Sequence, residues 1–140
     1  MKREEILNFL PSTYCRIKES NIHGVGVHAV VDIKEGVNLF PDCVCDLSKI
    51  VKIKKEEVLH LDQSVRKMMS DFFIETNTHY FTTVSLNRID ISYFLNHSDT
   101  PNCFWNEKDD SFYTLENIKI GEELTLDYNK YIVSDLVKNV

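Results

Sequence analysis

Tyr93-Phe94-Leu95-Asn96-His97-Ser98-Asp99-Thr100-Pro101-Asn102 is the stretch on which the fold of this chain turns. Three apolar or aromatic residues run into Asn-His-Ser, and the segment closes on Pro101-Asn102. Asn, Ser, Asp and Pro are turn formers that bond or fix the local backbone. An apolar run feeding such a cluster predicts a buried entry into an irregular, internally bonded loop. Alone, it is an ordinary strand end followed by a turn. Further along stands Gly121-Glu122-Glu123-Leu124-Thr125-Leu126-Asp127-Tyr128, and the two segments gain their meaning from each other.

A third segment, Ser20-Asn21-Ile22-His23-Gly24-Val25-Gly26-Val27-His28-Ala29, holds two of the four glycines in the chain. Glycine permits positive φ and lets the backbone come close to a ligand. A lone Gly-x-Gly is a weak signal whose plain reading is a hairpin turn. It is not the dinucleotide fingerprint, since the third glycine is missing and no long helix follows.

Together the three segments resemble the motifs of the SET-domain protein lysine methyltransferases, over about residues 16 to 128. Asn96 to Asn102 is similar to that family's Asn-His-Ser-x-x-Pro-Asn motif. Gly121 to Tyr128 is similar to its Gly-Glu-Glu-Leu-Thr-x-Asp-Tyr motif, and Gly24-Val25-Gly26 to its first motif. The resemblance implies a mainly β (α+β) SET-domain β-clip fold of several short sheets, with a C-terminal pseudoknot and one middle helix. Its domain plan would be an N-terminal capping segment at 1–12, the SET domain at 13–128, and a flanking segment at 129–140 that closes the site.

The chain has 140 residues, which suits one domain, and 43% of them are hydrophobic, enough for a core. No stretch reaches the length of a membrane span, and Met1-Lys2-Arg3-Glu4-Glu5 lacks a signal-peptide apolar region. The expectation is an intracellular, cytoplasmic protein, or a nuclear one if the source is eukaryotic, working as a monomer or homodimer. Cys15, Cys43, Cys45 and Cys103 then read as reduced thiols. The spacing of Cys43 and Cys45 is not that of a zinc site, and no metal is expected. A net charge of −6 argues against direct nucleic-acid binding and suits a cationic peptide.

Along the chain, Ile6, Leu7, Phe9 and Leu10 predict a short helix stopped by Pro11. Tyr14 to Lys18 alternates like a strand, and Val30 to Val37 reads as strand, turn and strand with Gly36 at the turn. Leu39-Phe40-Pro41 continues the β character. A helix is expected over about Asp62 to Phe73, capped by Asp62 or Ser64. His79 to Leu86 is rich in β-formers, and Ile89 to Phe94 leads into the Asn-His-Ser loop. Cys103 to Asn106 and Ser111 to Leu115 predict a hairpin around the solvated turn Glu107-Lys108-Asp109-Asp110.

The family's chemistry is transfer of a methyl group from S-adenosylmethionine to the ε-amine of a lysine in a protein or peptide, with a basic, histone-like tail among the candidate substrates. By resemblance Tyr128 is the catalytic residue. His23, Gly24, Val25, Gly26, Asn96, His97 and Tyr128 would bind the cofactor. Phe40, Tyr80, Trp105, Leu126 and Tyr131 would line the substrate channel, and Asp127 would tie the knot by hydrogen bonds. Asp99 stands where many relatives carry a zinc-binding cysteine, and no cysteine-rich segment follows Tyr128. Tyr131, Ile132 or Leu136 would therefore close the channel. Leu126 brings no hydroxyl to the channel end, so more than one methyl per lysine is expected. The competing expectation is an inactive SET-fold module that binds peptide or cofactor without turnover.

Overall fold

The computed structural model describes residues 1–43 and 47–130. In chain order its elements are α1 (Arg3–Phe9), β1 (Cys15–Glu19), β2 (Val25–Ala29), β3 (Val51–Lys54), α2 (Gln63–Phe72), β4 (Ile74–Glu75), β5 (His79–Thr82), β6 (Asn96–His97), β7 (Cys103–Asn106), β8 (Ser111–Thr114) and β9 (Glu123–Leu126). Short 3-10 turns lie between them. Several small sheets and few helices make up the mainly β fold that the sequence predicts. Two compact units result, one from residues 1–43 and 90–130, the other from 47–89.

In the first unit the sheet order is β1-β2-β9-β6. β1 and β2 form an antiparallel hairpin in which Cys15 faces Ala29 and Glu19 faces Val25. β9 pairs antiparallel with β2, Val27 opposite Leu124, and parallel with β6, Asn96 opposite Thr125. β9 therefore joins the glycine segment to the Asn-His-Ser segment. The apolar residues of these strands face one cluster that includes Val27, Leu39, Leu95, Ile118 and Leu124. Burying each such side chain contributes about 1.5–3 kcal/mol.

Residues 30–37 differ from expectation. The turn is present, with Gly36 at φ +79°, but its flanks form no strands. Only isolated bridges occur, Ile33 to Ile118 and Asn38 to Tyr113. The reason is a side chain. The Thr114 hydroxyl donates to the Lys34 carbonyl (2.6 Å) and accepts from the Val37 amide (3.0 Å), taking groups that a ladder would use. Leu39 and Phe40 likewise lie outside any strand.

Ile91–Phe94 is a 3-10 turn, started by the Asp90 side chain accepting from the Ser92 amide at 2.9 Å. The predicted hairpin is present as β7 and β8, with Cys103 opposite Thr114 and Asn106 opposite Ser111. Its charged turn is more than solvated. Asp109 accepts from the Tyr113 hydroxyl, and Asp110, at φ +51°, accepts from the Trp105 indole at 2.6 Å.

The second unit has an antiparallel sheet in the order β3-β5-β4, and α2. α2 spans Gln63–Phe72 as expected, but Asp62 at its N-cap makes no side-chain capping bond. Met69 is the buried member of its apolar stripe. β3 was not foreseen, although Val51 and Ile53 alternate with lysines; four residues make a weak period-2 signal.

Candidate active site

β6 and β9 bring the two principal motifs side by side. Leu95, 2% exposed, anchors the entry to β6 in the core, as the apolar run requires. The parallel pairing continues through the Ser98 amide, which donates to the Leu126 carbonyl at 2.9 Å. Asn102 then uses its side chain as a piece of strand. Its Nδ2 donates to the Glu123 carbonyl and its Oδ1 accepts from the Thr125 amide, both at 2.8 Å. An amide side chain reproduces the donor–acceptor pair of a peptide, which is why Asn serves here.

Asn96 ties the same region to the glycine segment. Its Nδ2 lies 3.1 Å from Ser20 Oγ, the His23 carbonyl and the Val25 carbonyl, and 3.0 Å from Glu123 Oε2. Two hydrogens serve four acceptors, so the amide nitrogen is committed inside the protein. Gly24 has φ +50° with open space where a side chain would begin. Gly26 is enclosed: a Cβ there would lie 2.5 Å from Glu123 Oε2. The first glycine serves conformation and the second serves close approach.

His97 links to Tyr128 by two contacts. The Tyr128 backbone amide donates to His97 Nδ1 at 3.0 Å, and the rings lie 5.3 Å apart, tilted by 55°. Nδ1 is thus an acceptor without hydrogen, which places the ring proton on Nε2, where it donates to Asp99 Oδ1 at 2.9 Å. Asp127 Oδ1 stands 3.9 Å from Nδ1, with no hydrogen to share. Instead Asp127 organises a local turn, accepting from the Asn129 and Lys130 amides at 3.0 Å. These bonds stay within its own turn, where a tie between the motifs was expected.

Tyr128 is half-exposed, and its hydroxyl donates to the Leu95 carbonyl. Desolvation raises its pKa above the ordinary phenol value, so the group is neutral at physiological pH. With its hydrogen held by Leu95, the phenol oxygen keeps its lone pairs for a donor arriving from outside. Tyr128 oxygen and Leu95 oxygen form a corner of neutral acceptors.

Among the expected channel residues, Phe40 and Leu126 are 7% and 5% exposed and belong to the core cluster. Phe40 meets Phe112 edge-on, 6.1 Å between centroids. Trp105 is partly buried on β7, with its indole donor taken by Asp110. Tyr80 is on β5 of the second unit, its hydroxyl 3.2 Å from Ser70 Oγ. Tyr131, Ile132 and Leu136 lie outside the described residues. Ser20, Asn102 and Glu123 lie in the three motif segments but receive no role from sequence alone, because their partners are distant in sequence.

Cys15 and Cys103 are buried thiols whose pKa burial pushes up to about 12, and Cys43 is exposed. Among the described residues no cluster of His, Cys, Asp or Glu could hold a metal ion, and no helix is long and apolar enough to cross a membrane.

These motifs, on these strands, are those of a SET domain. The sequence model of the SET domain matches residues 24–129, and the chain belongs to that family, whose members are typically protein lysine methyltransferases. Among solved structures it is similar to a Plasmodium falciparum protein described as a candidate histone methyltransferase, at 19% identity and TM-score 0.49, with 83% of this chain and 93% of that one covered. No curated protein sequence matches the chain.

Proposed function

We propose that the protein transfers methyl groups from S-adenosylmethionine to the ε-amine of a lysine in a protein or peptide. The observation that carries this reading is the corner formed by Tyr128 and Leu95 beside His97. Two features suit the cofactor. The corner presents oxygen acceptors, and the neighbouring His97 turns its hydrogen-free Nδ1 to the Tyr128 amide, an arrangement that favours a cationic group. The backbone at Gly24 is open to close approach. Gly24, Asn96, His97 and Tyr128 would hold it, with β6 parallel to β9 supporting the threaded arrangement of the family. When bound, S-adenosylmethionine supplies an electrophilic methyl group on a positively charged sulfur.

The protein's own part is to receive an amine, favour its neutral form and orient it. A lysine in water has a pKa near 10.4, and lowering it to about 8 costs roughly 3 kcal/mol. A half-buried site opposes the ammonium form and so acts in that direction. The Tyr128 oxygen, having donated its own hydrogen to Leu95, can accept one from the amine and aim its lone pair. The raised phenol pKa makes Tyr128 an orienting group and not a phenolate base. Holding the reacting atoms in line supplies the remaining acceleration.

The test is mass spectrometry of basic proteins and peptides incubated with S-adenosylmethionine and the protein, alongside calorimetry with the cofactor alone. Methyl-lysine in the product supports the proposal. Cofactor binding without product supports an inactive module. No cofactor binding overturns the transferase reading and leaves a module that binds peptide.

A further inference from the structure

Glu123 is a carboxylate inside the first unit, its side chain 13% exposed. Its surroundings are all donors. Ser20 Oγ donates to Oε1 at 2.7 Å, Asn96 Nδ2 lies 3.0 Å from Oε2, and His28 Nε2, from the facing residue on β2, lies 3.6 Å from Oε1. His28 Nδ1 is buried with no partner, so a hydrogen there would be unsatisfied; the ring hydrogen belongs on Nε2, toward Glu123. Ser20 in turn accepts from the Ile22 amide at 2.9 Å, the His23 amide at 3.3 Å and Asn96 Nδ2 at 3.1 Å. Surrounded by donors, its hydroxyl hydrogen goes to Glu123. Gly26 leaves the space that the carboxylate occupies.

We propose that Glu123 is a positioning residue that sets the Ser20–Gly24 turn, and through it the backbone that faces the cofactor. This rests on the cofactor assignment made above. The charge matters as well as the shape. A carboxylate offers acceptors on both oxygens, so Ser20 and Asn96 can both donate at once. An amide in its place brings hydrogens to one of the two, either against the Ser20 hydroxyl or against Asn96 Nδ2, which itself bonds Ser20. The turn then loses the fixed oxygen to which the Ile22 and His23 amides are bonded. Glu123 touches neither reacting group, so its loss acts on cofactor affinity before it acts on turnover.

Glu123→Gln decides it, with Ser20→Ala removing the same link from the turn side should the first variant not fold. Hydrogen bonds to a charged group predict weaker binding of S-adenosylhomocysteine by about 10- to 100-fold, read by calorimetry. The cofactor KM should rise by a similar factor while kcat at saturation changes less. In the protein without ligand, hydrogen exchange at the Ile22 and His23 amides should quicken in both variants. The double variant should lose little more than either single one, as members of one chain of bonds do. Unchanged exchange at those amides, or additive losses in the double variant, would overturn the positioning role. Failure of the unaltered protein to bind S-adenosylhomocysteine would instead sink the cofactor assignment, and the exchange measurement would still decide what Glu123 does to the turn.

Discussion

The backbone amide of Tyr128 donates to the side chain of His97, so the two principal motifs are joined at the proposed catalytic residue itself. The bond needs an acceptor at the position of Nδ1. His97→Ala removes it and should lower turnover by about tenfold or more, since a misplaced reacting group is costly. His97→Asn, whose side-chain oxygen can stand near Nδ1, should retain more activity. Steady-state methyl transfer by both variants checks this, and equal losses would mean the bond is not what His97 provides.

Removing only the phenol hydrogen bond is a cleaner cut. Tyr128→Phe deletes the contact with the Leu95 carbonyl, worth about 0.5–1.5 kcal/mol of stability, and leaves the ring against His97. Folding and cofactor binding should survive while turnover drops by about 10²-fold, the cost of a misaligned amine. Unchanged turnover would remove Tyr128 from the mechanism.

The two glycines of the first motif should fail in different ways. Gly26→Ala sets a methyl 2.5 Å from the Glu123 carboxylate and should cost about 1–3 kcal/mol as the strand or Glu123 shifts. Gly24→Ala meets no atom but strains the backbone at φ +50°, at about 1–2 kcal/mol. Urea unfolding measures both. Gly26→Ala should also disturb exchange at the Ile22 and His23 amides, by displacing the Glu123 carboxylate that holds Ser20.

How much of this could be read beforehand depended on the range of the interaction. α1, the β7–β8 hairpin and α2 were legible because their signals are local: a proline stop, a turn between β-formers, a helical stripe. Residues 30–37 were misread because Thr114, far away in sequence, takes over their hydrogen bonds. Tyr128, Asn96 and His97 stood out through a family resemblance, and the Tyr128–His97 contact brings two of them together. Glu123, Ser20 and Asn102 lie in the same motifs but carried no assigned role, because a buried polar residue looks like a surface one until its partner is known.

Buried thiols make stability fall in alkali. Cys15 and Cys103 have their pKa raised to about 12, so the folded protein favours the neutral thiol. That preference is fully present below the unfolded value near 9 and is lost as pH climbs from about 9 toward 12. The urea midpoint should decline through that window, and Cys15→Ser or Cys103→Ser should flatten the decline. At neutral pH, iodoacetamide should modify Cys43 without denaturant and reach Cys15 and Cys103 only after unfolding.

For the product, Leu126 carries no hydroxyl and the Trp105 indole is already bonded to Asp110. Neither can hold a methylated amine in one orientation by hydrogen bond. Mass spectrometry under excess cofactor should find dimethyl- or trimethyl-lysine. Arrest at monomethyl-lysine would point to a tyrosine hydroxyl as the limit.

The pairing of β2 with β9 has a consequence for how the protein is made. Val27 leaves the ribosome long before Leu124, its partner across the sheet. At about 5–20 residues per second, the delay is roughly 5 to 20 s. Through that interval the edge of β2 that β9 will cover stays open, and Gly26 and Ser20 wait without Glu123. An open edge of this kind invites pairing with another chain. Residues 47–89, whose contacts are mostly their own, emerge during the wait. Crowded synthesis, with many such edges open at once, is thus the condition under which this protein is most exposed to aggregation, and lowering the expression level should raise its soluble yield.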